Sequence, residues 1–564
     1  MKSYKRIIFI FLAFVFVKGI LSLFVVTPTI YSDEYMYSKL AQSLATSFHY
    51  DVHNIPQNAY PPLYPLFLAP AYFFFTDMTL IYFLMKFINA FLSTLIIIPA
   101  YFLSREFIGS QESRNIAILV GFLPLSFSFT PYLMAENLFY TLALFAIYFI
   151  YKSELTSSTR YYALAGVFIG AAFLTKALGI VLCILVGLLF IKNVLKKEKV
   201  HWKKKFITAG IISLMLFPWI LRNLLVFGFS FSSILGRAYT SELGNTTRQT
   251  LFSNLWNGAL WSVIYIDILI FASGILFSLG FIRFMKQKNK NEQEQTFFLI
   301  TLLFMFILLF IAVNHNLHGG FKEDNLLNLT GRPIARYTDV LLPLLIIGGY
   351  LGLQKQNLDK WKLPLSTKIL LLLFLAIGSN LLFFPLLPVN NLSISFLGVV
   401  QLFLQFLGAS LLITSLLFSL GIVFFTWFIL SYLFKKYNLN TILIISLFGF
   451  LLLSLLNVSI VAYNSQKNWY SLEQVQLGKW VQNNIKPDKT LAFDEDGCTS
   501  RSVQDPLSIC SPAKQTTLAG FWIYNDITIA KNPEMDTDYF ISRKELPYIK
   551  VHTTESNINV YQVS

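Results

Sequence analysis

The sequence predicts an α-helical polytopic membrane protein, with about 13 transmembrane helices and a small C-terminal extracytoplasmic α/β domain. Three observations carry this reading. Of 564 residues, 55% are hydrophobic and only 13% are charged, against roughly 25% charge in a soluble chain. The mean hydropathy is +0.60, and the apolar residues gather in runs of about 20, the length a spanning helix needs. From about Gln466 the composition returns to that of a soluble domain. Disorder, a secreted disulfide scaffold and an ordinary cytosolic enzyme are excluded together.

Apolar length and breakers place the spans near 7–28, 79–103, 114–131, 133–151, 161–175, 177–192, 206–226, 259–283, 297–313, 338–354, 367–385, 400–433 and 441–463. The first follows Lys2, Lys5 and Arg6 and is broken only by Lys18. It is too long for a signal-peptide core and lacks a small-x-small cleavage site, so it reads as a span. The run 392–434 is too long for one upright helix and short for two.

The net charge of +15 would suggest nucleic acid in a soluble chain. Here Lys and Arg sit in short loops between spans: Arg105 and Arg114, Lys152 and Arg160, seven lysines from Lys192 to Lys205, and Lys435 with Lys436. That is the pattern of cytoplasmic loops, so membrane lipids and not nucleic acid are the expected partner. The stretch 31–77 carries Lys39 as its one Lys or Arg. An odd span count puts the C-terminus outside a cell (plasma or inner) membrane. The division is then a transmembrane domain over 1–464 and an extracytoplasmic domain over 465–564. In the latter, 471–484 reads as an amphipathic helix and 489–493, 538–541 and 560–563 as strands. An oxidising exterior would permit a disulfide between Cys498 and Cys510, whereas Cys183 lies mid-span as packing.

The first outer loop opens with Asp33 and Glu34 at headgroup depth, where an unpaired charge is costly. Ser32 or Asp33 caps an interfacial helix running to about 47, which fixes the orientation of both acids. The element Tyr60-Pro61-Pro62-Leu63-Tyr64-Pro65 then starts a short apolar stretch, 63–75, better suited to an interfacial or re-entrant helix than to a span. Lys176 interrupts about 30 apolar residues and is expected at the turn between two short helices. Arg332, Arg336 and Tyr337 precede a late span. Two arginines at an outer interface oppose the topology bias, but they suit phosphate. Arg222, after Pro218-Trp219, is a further cation at an outer span end. Carboxylates and isolated cations near lipid phosphates suit group transfer from a phosphorylated lipid, with a base on the acceptor hydroxyl and cations on the departing phosphate.

Together these elements resemble the GT-C glycosyltransferases. The acid pair, the Pro-Pro-Leu-Tyr-Pro element, Leu174-Thr175-Lys176 and Arg336-Tyr337 point to the branch of the protein O-mannosyltransferases and aminoarabinose transferases (glycosyltransferase family 39 and relatives). The resemblance spans roughly the first 350 residues. It implies a GT-C-like fold, a polyprenyl-phosphate sugar donor, inversion at the anomeric carbon, and transfer of a hexose or pentose to a lipid, glycan or protein acceptor. It makes Asp33 the general base, with Glu34 supporting it or binding substrate. Lys176, Arg332 and Arg336 become phosphate contacts, and Glu136 matches an acid that relatives keep at an outer helix start. Tyr60 stands where many relatives carry His or another polar residue.

No cofactor or metal site is assigned, with a divalent cation left as an option. His315 and His318 are three apart, but two ligands do not close a site, and Asp494-Glu495-Asp496-Gly497 lacks the glutamate of a calcium loop. The rival readings are a polysaccharide polymerase or ligase, a lipid-linked substrate flippase or other transporter, and a non-catalytic anchor. Transporters place their unusual polar groups at mid-membrane in repeated halves, and no internal repeat is present.

Overall fold

The computed structural model describes residues 2–28, 32–156, 158–196, 202–230, 251–318, 333–354, 411–428, 438–494, 514–533 and 536–563, with a few residues between. In chain order the helices are α1 (Lys2–Leu23), α2 (Ser32–Thr46), α3 (Leu63–Leu68), α4 (Pro70–Phe74), α5 (Met78–Thr94), α6 (Ile97–Arg105), α7 (Ser110–Gly121), α8 (Pro124–Phe127), α9 (Glu136–Thr156) and α10 (Thr159–Thr175). There follow α11 (Ile180–Leu195), α12 (Trp202–Phe227), α13 (Leu251–Ala272), α14 (Leu276–Lys286), α15 (Glu292–His318), α16 (Leu342–Gln354), α17 (Leu411–Phe428), α18 (Leu439–Asn464), α19 (Glu473–Asn484) and α20 (Lys514–Phe521).

Among the described residues, eight helices are long and apolar enough to cross a membrane, the longest being Leu439–Trp469 at 31 residues. The other expected spans differ for local reasons. The expected span 114–131 is instead the 12-residue α7 and the four-residue α8. Pro124 has no N–H for the ladder, and it pushes Leu123 out of helical backbone (φ −59°, ψ 139°). The expected span 259–283 is split between α13 and α14, where Gly274 takes φ +77°. At 161–175 and 338–354 the helices are short of a full span. Most of 367–385 lies outside the described residues, as do nearly all of 400–433 beyond α17 and Cys498, Cys510 and Arg332.

The chain divides into two compact units. The bundle unit comprises Met1–Phe14, Leu92–Phe129 and Glu136–Ile460. Its core runs from Ile96 to Phe450 and is built of aliphatic and aromatic side chains, Trp261 and Tyr265 among them. Lipid supplies little hydrophobic drive between helices, so close backbone approach matters. Gly166 and Gly170, one turn apart on α10, let α12 in: a Cβ at Gly166 would lie 2.9 Å from Thr208 O, and one at Gly170 2.9 Å from Met215 Sδ. This contact holds α10, whose C-terminal end presents Lys176.

The loop unit comprises Val15–Phe91, Thr130–Ala135 and Val461–Ser564. It contains the segment 32–77 together with the C-terminal α/β segment. After α2 the chain makes a two-stranded hairpin, β1 (Asp51–Val52) with β2 (Ile55–Pro56). The C-terminal segment forms a five-stranded sheet from β3 (Leu491–Asp494), β4 (Ile527–Ala530), β5 (Tyr539–Ser542), β6 (Ile549–Thr553) and β7 (Asn559–Gln562), in the order β4-β3-β5-β7-β6. The central strand β3 is parallel to both neighbours, with Leu491 level with Ile527 and Tyr539. The pairs β5–β7 and β6–β7 are antiparallel. Helices α19 and α20 cover one face through Leu477, Val481, Ala519 and Ile541. The helix and three strands read from the sequence are present within two residues. The strands β4 and β6 were not anticipated: β4 is a four-residue run and β6 is interrupted by a bulge between Lys550 and His552.

Candidate functional site

Two clusters of polar side chains contain most of the residues singled out from the sequence. The first lies in the loop unit, at the start of α2, where an acid is favoured by the unpaired N–H groups of the first turn. Asp33 is half-buried, and its Oδ1 accepts the Tyr60 hydroxyl at 2.6 Å. Glu34 is 1% exposed, and its Oε2 accepts the backbone N–H of Leu133 at 3.0 Å. The adjacent acids therefore differ in kind. Asp33 is oriented by a side chain and reaches solvent. Glu34 ties α2 to the segment 130–135.

A ring cluster stiffens this arrangement. Tyr37 meets Tyr60 edge-on at 4.8 Å and Tyr64 at 4.9 Å. The Tyr64 hydroxyl donates to Asn89 Oδ1 at 2.8 Å, and Asn89 Nδ2 donates to Tyr132 O at 2.8 Å. Lys86 donates to Val25 O at 2.7 Å and lies 4.2 Å from the Tyr82 ring centre. The Pro-Pro element positions Tyr60 and Tyr64 because Pro62 stands at the start of α3 with φ −83°. Asn89, Lys86 and Tyr132 were not singled out from the sequence. Lys86 inside an apolar run was the available signal.

The second cluster lies in the bundle unit. Glu136 opens α9 and is 1% exposed. Its Oε1 accepts Lys176 Nζ at 2.5 Å, and Arg336 Nη1 stands 3.7 Å away. Lys176 occupies the turn expected of it, in extended backbone (φ −153°, ψ 130°) between α10 and a short 3-10 turn. Its Nζ is 5.3 Å from the centre of the Tyr337 ring, and His315 meets that ring edge-on at 5.1 Å. The Tyr140 hydroxyl donates to Arg336 O at 3.0 Å. Four predicted residues, Glu136, Lys176, Arg336 and Tyr337, thus converge from three chain segments. Asp339, buried and acting electrostatically on the Tyr140 hydroxyl, adds a second acid, so two cations and two carboxylates share this cluster. Tyr140 and His315 belong to this cluster, and sequence reasoning gave neither a role here.

Arg222 is placed on α12, where it donates to Asn223 Oδ1 at 2.9 Å and lies 5.5 Å from the Trp219 and Phe227 ring centres.

Comparison with known proteins follows these elements. Residues 60–221 match the family described as dolichyl-phosphate-mannose-protein mannosyltransferase. The match covers Tyr60, Glu136 and Lys176 and stops before Arg222. In fold, the chain is similar to the crystal structure of ArnT from Cupriavidus metallidurans bound to undecaprenyl phosphate, with a TM-score of 0.59 and 11% identity over 98% of this chain and 97% of that one. The apo crystal structure of the same protein gives 0.56 and 12% identity over 99% and 98%. Among curated proteins no sequence match was found. The chain is thus GT-C-like in fold over nearly its whole length and, over residues 60–221, similar in sequence to the dolichyl-phosphate-mannose-protein mannosyltransferases.

Proposed function

We propose that the chain is a membrane glycosyltransferase that moves a sugar from a polyprenyl-phosphate donor to an acceptor hydroxyl on the outer face, with inversion. One observation carries the reading: Asp33 is a half-buried carboxylate on a rigid helix start, held by Tyr60, while its neighbour Glu34 is committed to a backbone N–H. A carboxylate so placed suits a general base. The likeness in fold to a protein crystallised with undecaprenyl phosphate supports a lipid-phosphate donor.

In this reading the acceptor oxygen attacks C1 of the sugar as its proton passes to Asp33. The bond from C1 to the phosphate oxygen breaks, and its electron pair leaves on the polyprenyl phosphate. Lys176, Arg336 and Arg332 contact that phosphate and stabilise the charge that develops on it. Glu136 holds Lys176 and Arg336 in position, so it acts on the phosphate through them. Tyr60 positions the base, and Tyr337 and Arg222 contribute to substrate binding.

The test is to supply membranes containing the chain with a polyprenyl-phosphate sugar labelled in the sugar. Transfer of label from lipid to a new hydroxyl, with the opposite anomeric configuration, is the expected result. Label that crosses the membrane still attached to its lipid would overturn it in favour of a flippase.

A further inference from the structure

A polar cavity of about 120 Å³ lies wholly within the loop unit, along α2. It is walled by α2, by the β1–β2 hairpin and by the start of β4. None of the catalytic assignments uses it.

Its walls are built at a conformational cost. The two-residue hairpin turn is His53-Asn54, with φ +55° and +60°, the backbone that glycine adopts most readily. The His53 ring bridges two other elements, with Nε2 3.0 Å from the Tyr35 hydroxyl and Nδ1 3.0 Å from Ile527 O. A carbonyl only accepts, so Nδ1 carries a proton. Burial pulls the His53 pKa down to about 4, so the imidazole is neutral near pH 7 and Nε2 accepts from the Tyr35 hydroxyl. On the facing wall Lys39 donates to Gln42 Oε1 at 3.0 Å and Ile523 O at 2.5 Å. Ser43 donates to Asp51 Oδ1 at 2.6 Å. Thr46, Ser47, Asn54 and Asp526 stand exposed at the rim.

The chemistry of this lining narrows the ligand. Lys39 against Asp51 and Asp526, with His53 neutral, gives a formal charge that is not positive, which disfavours phosphate or carboxylate. Among the described residues no group of three His, Cys, Asp or Glu could hold a metal ion. The lining is mostly polar, with hydroxyls, amides, carboxylates, Lys39 and the imidazoles of His49 and His53 beside apolar Val52 and Ile527, which disfavours a lipid chain. Room for on the order of eight waters matches the hydroxyl shell of one sugar ring. Along α2 the lining runs from Tyr35, about 3 Å along the axis beyond Asp33, to Thr46, about 20 Å beyond it, at 1.5 Å per residue.

We propose that this cavity binds a neutral sugar residue of a glycan acceptor, at a distance from the hydroxyl that reacts. Helix α2 then carries the base at its start and an acceptor subsite further along it. The word acceptor rests on the transferase reading; sugar binding does not.

The experiment is saturation-transfer NMR on the full chain in detergent, with methyl glycosides of glucose, mannose, galactose and N-acetylglucosamine, and with inorganic phosphate. At least one glycoside should bind at millimolar concentration, and Ser47→Trp, which fills the cavity from an exposed position, should weaken it at least tenfold. Asn54→Gly relieves the turn while removing a rim amide, so a folded protein with weakened binding is expected there too. Absence of glycoside binding, binding unchanged by both variants, or displacement by phosphate would overturn the proposal. Donor label release, measured separately, distinguishes its failure from failure of the transferase reading.

Discussion

Glu34 and Glu136 look alike in sequence: each is an acid in the first turn of a helix, and each is 1% exposed. Their partners separate them. Glu34 accepts the backbone N–H of Leu133, which fixes the path of the chain, and acts electrostatically on Lys86 of the same unit. Glu136 accepts from Lys176 with Arg336 alongside, so it organises two cations. A carboxylate bonded to a backbone amide fixes the path of the chain, whereas one bonded to a side-chain cation fixes where that cation stands. Asp33, beside Glu34 but half-buried and held by Tyr60, is the carboxylate that the proposed reaction uses as base.

This contrast can be broken at several points. Glu136→Gln leaves two cations around a neutral amide, and losing one partner of a buried ion pair costs about 3–5 kcal/mol. A lower melting temperature in detergent should show it, with Glu136→Gln/Lys176→Met recovering part of the loss. An unchanged melting temperature would remove Glu136 from the role of organiser. Tyr60→Phe deletes one hydrogen bond to a charged group, worth about 1.5–3 kcal/mol. Label release should fall about tenfold or more while the melting temperature moves little. A fall in stability without a fall in rate would make Tyr60 structural.

The smallest effect concerns pH. Burial, opposed by the Ile527 carbonyl and aided by Lys39, lowers the folded His53 pKa to about 4 from 6.5. The unfolded chain therefore binds the proton first as pH falls, so this stabilisation is complete above about 6.5 and lost on descending to about 4. Thermal melts between pH 7 and 4 should decline, and His53→Gln should flatten the decline. Lys39 follows the same sign at higher pH, since burial brings its pKa down to about 7.

Much of this was legible in the sequence, because hydrophobic length and helix-start acids are local signals. Asp33, Lys176, Arg336 and the helix from 32 to 46 could be read that way. The partner of Glu34 could not, since it lies 99 residues on and every residue offers the same backbone N–H. The Tyr64–Asn89–Tyr132 chain was hidden for the same reason, each residue being unremarkable until the fold brings them together. The break at Gly274 and Ile275 shows the converse: two consecutive residues at positive φ divide a hydrophobic run that length alone reads as one span.

The most direct measurement sets Asp33→Asn beside Glu34→Gln in a single-turnover assay of donor label release, with the melting temperature of each. Asp33→Asn should melt as wild type and release label about 10²–10⁴-fold more slowly, the usual contribution of a general base, whereas Glu34→Gln should lose stability first. Wild-type release from Asp33→Asn would contradict the assignment of the base.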